Sequence, residues 1–344
     1  MIPLVETGGD PRQIGQDVGR AMRDRIQAAA AAARDALTTA VGGDAERAVG
    51  PFVEATERRA PEILAELRGM ADGSGVPFAT LFALNAGAEL HLAIGDAGCT
   101  SVAVTPTGAA NGHVLVAHNE DAAPGWAEYA YLVKAEPSGA PAFVAFSYAG
   151  LLLHQGLNAA GLASVGNTLH ARDGRLGVPK LFQYRRILSE TTIEGAIRTV
   201  IDPHRANGNN HLLATADGDV YDVETSGRCW ALLDAGNRFL AHANHFTSDE
   251  LRHLDQDEDL LNSTLRQARV ERLVDRAWGR ITPDALRGIA ADHANFPHSV
   301  CTHHAPEGEP GDGTIGGIVI DVTTRVLWAC AGNPCRGEWR EVRL

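Results

Sequence analysis

The sequence predicts an α+β fold in which stacked β-sheets are covered by helices. Three observations support this class. The first hundred residues carry helical patterns, the chain changes to alternating strand patterns near Cys99, and the later helices are grouped between runs of strands. Strands and helices do not alternate one by one, so a parallel βαβ sheet is not expected.

The leading segment is predicted to be helical throughout. Asp10 is a candidate N-cap, Pro11 occupies the first helical position, and apolar residues recur at every fourth position from Ile14. Glycines and prolines then mark where each helix begins and ends. The three predicted helices run from Pro11 to Gly42-Gly43, from Pro61 to near Gly73, and from Pro77 to about His91.

Strand patterns begin directly after Cys99. Ser101–Thr105 and His113–His118 flank a Pro-Thr-Gly turn and predict a hairpin, and Asp217-Gly218 predicts a second one. The other predicted strands are Tyr131–Ala135, Phe143–Tyr148, Leu162–Gly166, His211–Ala216, Val220–Glu224, Trp230–Leu233, Phe239–Ala243, Gly317–Val322 and Val326–Ala331. The later helices are predicted at about Lys180–Glu190, Thr192–Ile201, Ser263–Trp278 and Pro283–Asp292.

Composition excludes several classes of partner. The chain has 344 residues, of which 44% are hydrophobic and 21% charged, and a net charge of −13. Nucleic-acid binding needs clustered Lys and Arg, which the sequence lacks. The longest apolar stretch, after Gln27, is interrupted at Arg34 and is too short to span a bilayer. We therefore expect neither a nucleic-acid nor a membrane partner.

The N-terminus, the cysteines and the Arg and Ala content together predict a cytoplasmic protein from a bacterium. The N-terminus has neither the basic nor the apolar region of an export signal. Five cysteines without a C-x-x-C pair, in a chain this long, favour a reducing compartment. Arg supplies 28 of the 30 basic residues and Ala is abundant, which is typical of a GC-rich bacterial genome.

Cys99 is the first candidate for chemistry. It lies in Gly98-Cys99-Thr100-Ser101, where the leader meets the first strand, although a small buried thiol would suit that position equally well. His118-Asn119-Glu120-Asp121 ends the second strand of the predicted hairpin. A hairpin returns its far end to its start, so Asp121 is expected near the Cys99 backbone.

With these motifs in this order, the chain resembles the isopenicillin-N acyltransferase family (acyl-coenzyme A:6-aminopenicillanic acid acyltransferase), within the self-processing N-terminal-nucleophile hydrolases. The resemblance extends over nearly the whole chain. The motifs that carry it are the leader from Pro61-Glu62-Ile63 to Glu89-Leu90, Gly98-Cys99-Thr100-Ser101, Asn119-Glu120-Asp121, Gly156-Leu157-Asn158 with Gly161-Leu162, Asn210 before an apolar strand, Asn244-His245-Phe246, and the helix with Arg266 and Arg269.

The resemblance implies a four-layer αββα fold with two antiparallel sheets face to face and helices outside each. It implies that the chain cuts itself between Gly98 and Cys99, and that leader 1–98 stays packed against catalytic part 99–344 as an α/β heterodimer. The new α-amine of Cys99 would then be the base for its own thiol. The activity implied is hydrolysis or acyl transfer on an amide or thioester bond of a small molecule.

Three further residues receive catalytic roles from the same resemblance. Asp121 would hold the α-amine by a charge-assisted hydrogen bond. Asn210 would stabilise the oxyanion with its side-chain amide, and Asn167 is a second candidate for the oxyanion or for orienting substrate. Without those roles, Asp121 is a turn residue at a strand end and Asn210 caps a strand.

Three side chains are candidates for binding substrate. Related bile-salt and penicillin hydrolases have Arg three residues before the Asp, where this chain has His118, so its substrate preference is expected to differ. Arg266 would offer a positive group to an anionic substrate, unless it lies on a solvated helical face. His245 is the third candidate. His245 or His118 would be the base in an alternative, a thiol amidase that does not cut itself.

No metal and no bound cofactor are expected, and acyl-coenzyme A is one candidate co-substrate. His242-x-x-His245 and His303-His304 could form a metal site with an Asp or with Cys301, but the sequence has no H-E-x-x-H motif to support one. The first pair is expected to point its side chains to opposite faces of a strand. Cys229, Cys301, Cys330 and Cys335 are expected to be simple thiols.

Besides the self-cutting enzyme and the thiol amidase, a third possibility is an uncut, catalytically silent protein that only binds a small molecule.

Overall fold

The computed structural model describes residues 1–90, 98–123, 125–257, 260–304 and 312–344. Most of its strands were predicted, and Phe143–Tyr148 and Val326–Ala331 have the predicted bounds. The strands are β1 (Leu4–Gly9), β2 (Gly98–Val104), β3 (Leu115–Ala122), β4 (Ala130–Pro137), β5 (Phe143–Tyr148), β6 (Gln155–Asn158), β7 (Leu162–Val165), β8 (Asn209–Thr215), β9 (Val220–Thr225), β10 (Trp230–Asp234), β11 (Phe239–His242), β12 (Gly313–Asp321), β13 (Val326–Ala331) and β14 (Arg340–Arg343).

Ten helices are present in the described part of the chain. They are α1 (Pro11–Ala21), α2 (Arg23–Ala32), α3 (Arg34–Val41), α4 (Ala45–Glu57), α5 (Pro61–Ser74), α6 (Phe78–Asn85), α7 (Lys180–Ile187), α8 (Ile193–Val200), α9 (Leu261–Ala277) and α10 (Pro283–Ala290). The predicted N-cap is confirmed, since the Asp10 carboxylate accepts a hydrogen bond from the Gln13 N–H at 2.9 Å. No helix among the described residues has the length and apolar character needed to cross a membrane.

The predicted helix from Pro11 to Gly42 is divided into α1, α2 and α3 by breaks at Met22 and Ala33. The third predicted helix ends at Asn85, and its expected last residue, His91, lies outside the described residues. Helices α1 and α5 cross in backbone contact because both carry glycines there. A Cβ on Gly15 would lie 1.9 Å from the Glu66 carbonyl oxygen, so this crossing requires glycine.

Two sheets lie face to face. One has eight strands in the order β1-β4-β5-β6-β7-β8-β9-β10, and the other has six in the order β11-β2-β3-β12-β13-β14. All pairs are antiparallel except β1 with β4, which is parallel. The prediction of an entirely helical leader is therefore wrong at its start, because β1 lengthens the edge of the eight-stranded sheet.

The apolar core divides into the layers of the predicted αββα fold. Ala103, Val116, Leu132 and Phe146 belong to the cluster between the two sheets. The leader helices cover the outer face of the eight-stranded sheet, and α9 and α10 cover the outer face of the other sheet. The layer under the leader helices includes Ile14, Leu67 and Phe143. The layer under α9 and α10 includes Val102, Val270 and Leu286.

The hairpin of β2 and β3 was predicted and is confirmed. The two strands pair so that Gly98 lies opposite Asp121 and Cys99 lies opposite Glu120. Strand β12 pairs with the other edge of β3, so both hairpin strands are interior to the six-stranded sheet. The pairing fixes which side chains flank Cys99, because directly opposite residues share one face of a sheet.

Candidate active site

The Cys99 side chain lies between the two sheets and is 4% exposed. Its sulfur is 3.7 Å from Glu120 Oε1. It borders a cavity of about 60 Å³, whose wall also includes His154, Gln155 and Tyr184. Burial, followed by the charges of Glu120 and Asp121, raises the pKa of the thiol well above its ordinary value. A proton acceptor is therefore needed before this thiol can act as a nucleophile near neutral pH.

Asn244 contacts the backbone nitrogen of Cys99. Its Oδ1 accepts a hydrogen bond from the Cys99 N–H at 2.7 Å and another from Arg266 Nη2 at 2.9 Å, while its Nδ2 donates to the Thr168 carbonyl at 3.1 Å. These partners fix the orientation of the amide, with its oxygen towards Cys99. Sequence analysis did not select Asn244, although it quoted the Asn244-His245-Phe246 motif.

Arg266 is buried beside the same residues. Its guanidinium donates to the Cys99 carbonyl, to Thr100 Oγ1 at 2.7 Å and to Asn262 Oδ1 at 2.8 Å. The alternative of a solvated helical face is wrong, because Arg266 on α9 is 4% exposed. Its hydrogen bonds hold the chain around Cys99, and a role in binding an anionic substrate stays a prediction.

Asp121 lies where the hairpin predicted it. A Cβ built on Gly98 would be 3.2 Å from both Asp121 Oδ2 and Arg266 Nη2, so the carboxylate flanks the Gly98–Cys99 bond. Thr314 Oγ1 donates to Asp121 Oδ1 at 2.6 Å. Burial raises the pKa of Asp121 to about 7, against the opposing effect of Arg266. This carboxyl group can therefore change its protonation state near neutral pH.

Glu120 faces the opposite side of β3, towards the thiol. His118 Nε2 is 3.0 Å and His154 Nε2 is 3.9 Å from its Oε2, and Gln155 Nε2 donates to it at 3.4 Å. Burial acts to raise the pKa of Glu120, but the two imidazoles outweigh burial and lower it. Sequence analysis missed Glu120 and His154. The predicted hairpin register contained the signal for Glu120, the residue opposite Cys99.

His118 and Asn167 are joined to this group through Ser101. The Ser101 hydroxyl is 2.8 Å from His118 Nδ1 and donates to Asn167 Oδ1 at 2.7 Å. His118 therefore has partners at both ring nitrogens and reaches the thiol by way of Glu120. Asn167 lies one side chain further back, and its role at the oxyanion stays a prediction.

The Asn210 amide is engaged elsewhere. Its Oδ1 accepts from the Asn167 N–H at 3.0 Å, and its Nδ2 donates to Asp222. The neighbouring Asn209 borders the cavity beside Cys99, and Asn210 does not. Adjacent residues of a strand face opposite sides, so the two asparagines cannot both face the thiol.

His245 is hydrogen-bonded to Ser263 Oγ at 2.7 Å through Nδ1. Burial, together with the charge of His242, lowers its pKa to about 4. The rings of His242 and His245 stack with centroids 6.3 Å apart, so the expectation that they point to opposite faces is wrong. Strand β11 ends at His242, and the alternation of a strand does not continue past that residue.

The donor atoms of Cys99, His118 and Glu120 lie within 4.8 Å of one another. Sulfur, imidazole and carboxylate can bind a divalent metal ion, but such an ion would occupy the thiol. The arrangement offers a buried thiol with a fixed carboxylate beside it, an amide oxygen at the Cys99 nitrogen, and a titratable carboxyl group beside Gly98. This is the equipment for nucleophilic attack on a carbonyl group.

Comparisons with known proteins identify the family of this chain. The family model described as acyl-coenzyme A:6-aminopenicillanic acid acyl-transferase matches residues 108–336. The chain is 25% identical over 335 residues to the 40 kDa form of acyl-coenzyme A:6-aminopenicillanic-acid-acyltransferase from Emericella nidulans, covering 95% of this chain and 91% of that protein.

Among solved structures, penicillin V acylase from Agrobacterium tumefaciens superposes with a TM-score of 0.50 at 15% identity, covering 71% of this chain and 86% of that one. This likeness concerns the fold, which is that of the N-terminal-nucleophile hydrolases. The family match covers more than half of the chain. The chain therefore belongs to the acyl-coenzyme A:6-aminopenicillanic acid acyl-transferase family.

Proposed function

We propose that this protein cuts its own chain between Gly98 and Cys99 and then acts as an amidohydrolase or acyltransferase through a Cys99 acyl-enzyme. The observation that carries the proposal is the hydrogen bond from the Cys99 nitrogen to Asn244 Oδ1, at 2.7 Å. That nitrogen becomes the α-amine of the mature enzyme, and its acceptor is already in position while it is still an amide.

Self-cleavage begins with attack of the Cys99 sulfur on the Gly98 carbonyl carbon. The C–N bond breaks, its nitrogen takes up a proton as an amine, and the leader is left as a thioester on the sulfur. One water then hydrolyses the thioester to the Gly98 carboxylate and the free thiol. Glycine suits position 98, because a Cβ there would be only 3.2 Å from Asp121 and Arg266.

Turnover uses the same atoms. The α-amine accepts the thiol proton, the thiolate attacks the substrate carbonyl, and the protonated amine returns the proton to the leaving group. Water or an acceptor amine then removes the acyl group from the sulfur. Asp121, which flanks the Gly98–Cys99 bond, would stabilise the ammonium form of the α-amine with its carboxylate.

The cavity and the family support one class of substrate. The family model and the Emericella relative are named for acyl transfer from a coenzyme A thioester to 6-aminopenicillanic acid. We assign this chain a small amide or thioester, with acyl-coenzyme A as candidate donor. The cavity of about 60 Å³ is partly walled by leader residues Leu84, Asn85, Gly87 and Ala88, so it enlarges if the cut leader moves.

The test measures the intact mass of freshly purified protein under denaturing conditions. Turnover of amide and thioester substrates is then assayed. The uncut chain has a mass of 36.4 kDa. We expect fragments of about 10 and about 26 kDa, the larger beginning at Cys99. Cys99→Ala should stay in one piece and be inactive. Cys229→Ser, which changes an exposed thiol, should be cut and active like the native chain.

Two outcomes would contradict the proposal. An uncut native chain that turns over amides and loses activity in His118→Gln would be the thiol amidase without self-cleavage. An uncut chain that binds a small molecule equally well with and without the Cys99 thiol, and never turns it over, would be the silent binding protein.

A further inference from the structure

A second group of thiols and imidazoles lies outside the Cys99 site. His293 follows α10, Cys301 and His303 lie in the segment after it, and Cys335 lies in the turn between β13 and β14. One donor atom from each of these four residues is within 4.8 Å of the other three. The sequence indicated His303 and Cys301 as possible ligands with other partners, but Cys301 and Cys335 were expected to be simple thiols.

The separations match a tetrahedral ion site. The Nε2 atoms of His293 and His303 are 3.1 Å apart, and His303 Nε2 is 3.5 Å from Cys335 Sγ and 3.8 Å from Cys301 Sγ. Zinc bonds of about 2.0–2.1 Å to nitrogen and about 2.3 Å to sulfur place tetrahedral ligand atoms about 3.3 to 3.8 Å apart. The four donors need little movement to bind one ion.

The ligand-bearing segment is held from outside the group. The Cys301 N–H donates to the Asp292 carbonyl at 3.0 Å, and the Asp292 carboxylate accepts two hydrogen bonds from Arg269, at 2.9 and 2.7 Å. Asn333 Nδ2 donates to the Thr302 carbonyl at 2.7 Å and lies 3.6 Å from Cys301 Sγ. Such outer contacts orient the ligands of a metal site before the ion arrives.

The group combines partial burial with access. Cys301 is buried, His303 and Cys335 are half-buried, and His293 is exposed. The Phe296 ring packs against both imidazoles, with centroids 6.2 Å from His293 and 5.2 Å from His303. An ion can therefore enter from the His293 side and be shielded once it is bound.

We propose that His293, Cys301, His303 and Cys335 form a Cys₂His₂ site for a zinc ion. Two thiolates neutralise the charge of the ion, and four protein ligands leave no open position for substrate, so the site is structural. It ties the segment after α10 to the turn that precedes β14. This departs from the expectation that the chain binds no metal.

The zinc site is connected to the catalytic carboxyl group. Thr302 lies between two of the ligands, and its backbone N–H donates to Thr314 Oγ1 at 2.9 Å. The same Thr314 hydroxyl donates to Asp121 Oδ1 at 2.6 Å. An ion that fixes Thr302 therefore also fixes the donor that orients Asp121.

The experiment measures zinc by mass spectrometry after metal-free protein is incubated with one equivalent of zinc chloride under reducing conditions and desalted. We expect about one zinc per chain. His293→Gln, which changes the exposed ligand, and Cys301→Ser/Cys335→Ser should each lose most of it. The matched controls His298→Gln, in the same segment, and Cys229→Ser should keep it. Cobalt in place of zinc should give a thiolate charge-transfer band in the native chain and in these two controls, and the band should be lost in the Cys301→Ser/Cys335→Ser variant.

Cys99→Ala should also keep its zinc, which separates this site from the Cys99, His118 and Glu120 group. Circular dichroism checks that each variant is folded. The proposal is overturned if the native chain takes up no zinc, if His293→Gln and the double variant retain the full amount, or if Cys99→Ala loses it. The proposal would also be overturned if Cys301 and Cys335 formed a disulfide that persisted under the reducing conditions and no zinc was bound.

Discussion

The two faces of β3 beside Cys99 carry consecutive carboxyl groups with opposite behaviour. Glu120 faces the space between the sheets and meets two imidazoles, whereas Asp121 faces α9 and meets one guanidinium. Burial acts in the same direction on both. The pKa of Glu120 is nevertheless lowered, while that of Asp121 is raised from 3.8 to about 7. The partners of Glu120 outweigh burial, whereas burial outweighs the partners of Asp121, and this balance decides the charge of each carboxyl group.

This difference separates two tasks. Glu120 remains an anion beside the thiol and helps to keep the thiol protonated in the uncut chain. Asp121 changes protonation near neutral pH, and it flanks the bond that we propose is cut. Arg266 hydrogen-bonds to the Cys99 carbonyl, Thr100, Asn244 and Asn262, so its charge does not serve Asp121 alone. The comparison predicts that variants on the two faces of β3 will affect different measurements.

The largest effect is expected from Arg266→Met. This change removes the hydrogen bonds of Arg266 to the Cys99 carbonyl, Thr100 and Asn262 and leaves those buried acceptors unsatisfied, so the free energy of unfolding should fall by about 3–5 kcal/mol and cutting should stop. Urea denaturation and intact mass measure the two effects. Arg272→Met, on an exposed part of the same helix, should change stability by no more than about 0.5 kcal/mol.

If Arg266→Met had the same free energy of unfolding as Arg272→Met, the buried contacts of Arg266 would not stabilise the region around Asp121. If it were destabilised but still cut at the native rate, the contacts of Arg266 with the Cys99 carbonyl and Asn244 would have no part in processing.

The next effect in size is expected from Asp121→Asn. Cutting should slow by about 100-fold or more, because the amide cannot accept a proton or stabilise an ammonium group. Stability at pH 7 should not fall, because the raised pKa of Asp121 lowers the stability of the native chain between pH 4 and 7 and the amide does not titrate. Timed intact-mass measurements give the rate, and Asp217→Asn in the exposed turn is the control. A native rate in Asp121→Asn would remove Asp121 from the mechanism.

The proximity of Asp121 to Cys99 could be predicted because it depends on local pairing. A turn between two alternating segments fixes the partner of each residue, and Gly98 does lie opposite Asp121. Asn244 and Arg266 reach Cys99 from 145 and 167 residues away. No local pattern encodes such contacts, so only the family motifs pointed to these residues.

The prediction of Asn210 as the oxyanion donor, where Asn209 borders the cavity beside Cys99, shows a second limit. Residues 209–214 of β8 are all buried, so apolar alternation does not indicate which face borders the cavity. Strand β1 was missed for a related reason. Leu4–Gly9 is short and mostly half-buried, and its pairing with β4 depends on residues more than a hundred positions away.

A smaller effect is expected from Glu120→Gln. Removal of the anion 3.7 Å from the sulfur lowers the pKa of the Cys99 thiol, so alkylation of that thiol at neutral pH should become faster, on the order of tenfold. The rate of iodoacetamide modification against pH measures this, with Glu128→Gln, at an exposed position, as control. Asp121→Asn should give a smaller increase, because the charge of Asp121 raises the pKa of the thiol less than the charge of Glu120 does.

The smallest effect is a difference in how stability depends on pH. Because the pKa of Asp121 is raised on folding, the native chain binds a proton that the unfolded chain releases between about pH 4 and 7, and stability falls by up to about 1.4 kcal/mol per pH unit as the pH rises. Glu120 has the opposite sign. Its pKa is lowered from 4.5, so its contribution is present above that pH and is lost as the pH falls.

Subtraction of variant curves from the native curve isolates each face. The pKa of Asp222 is also raised to about 7, and Asp222 changes the pH dependence of stability in the same direction as Asp121. All the chains contain Asp222, so its contribution cancels in the subtraction. The native curve should fall below that of Asp121→Asn progressively from pH 4 to 7, and its lead over Glu120→Gln should shrink as the pH drops below 4.5. Parallel curves for both variants would mean that the two carboxyl groups titrate as they do in the unfolded chain. In that case the imidazoles and the guanidinium would not be what distinguishes the two faces of β3.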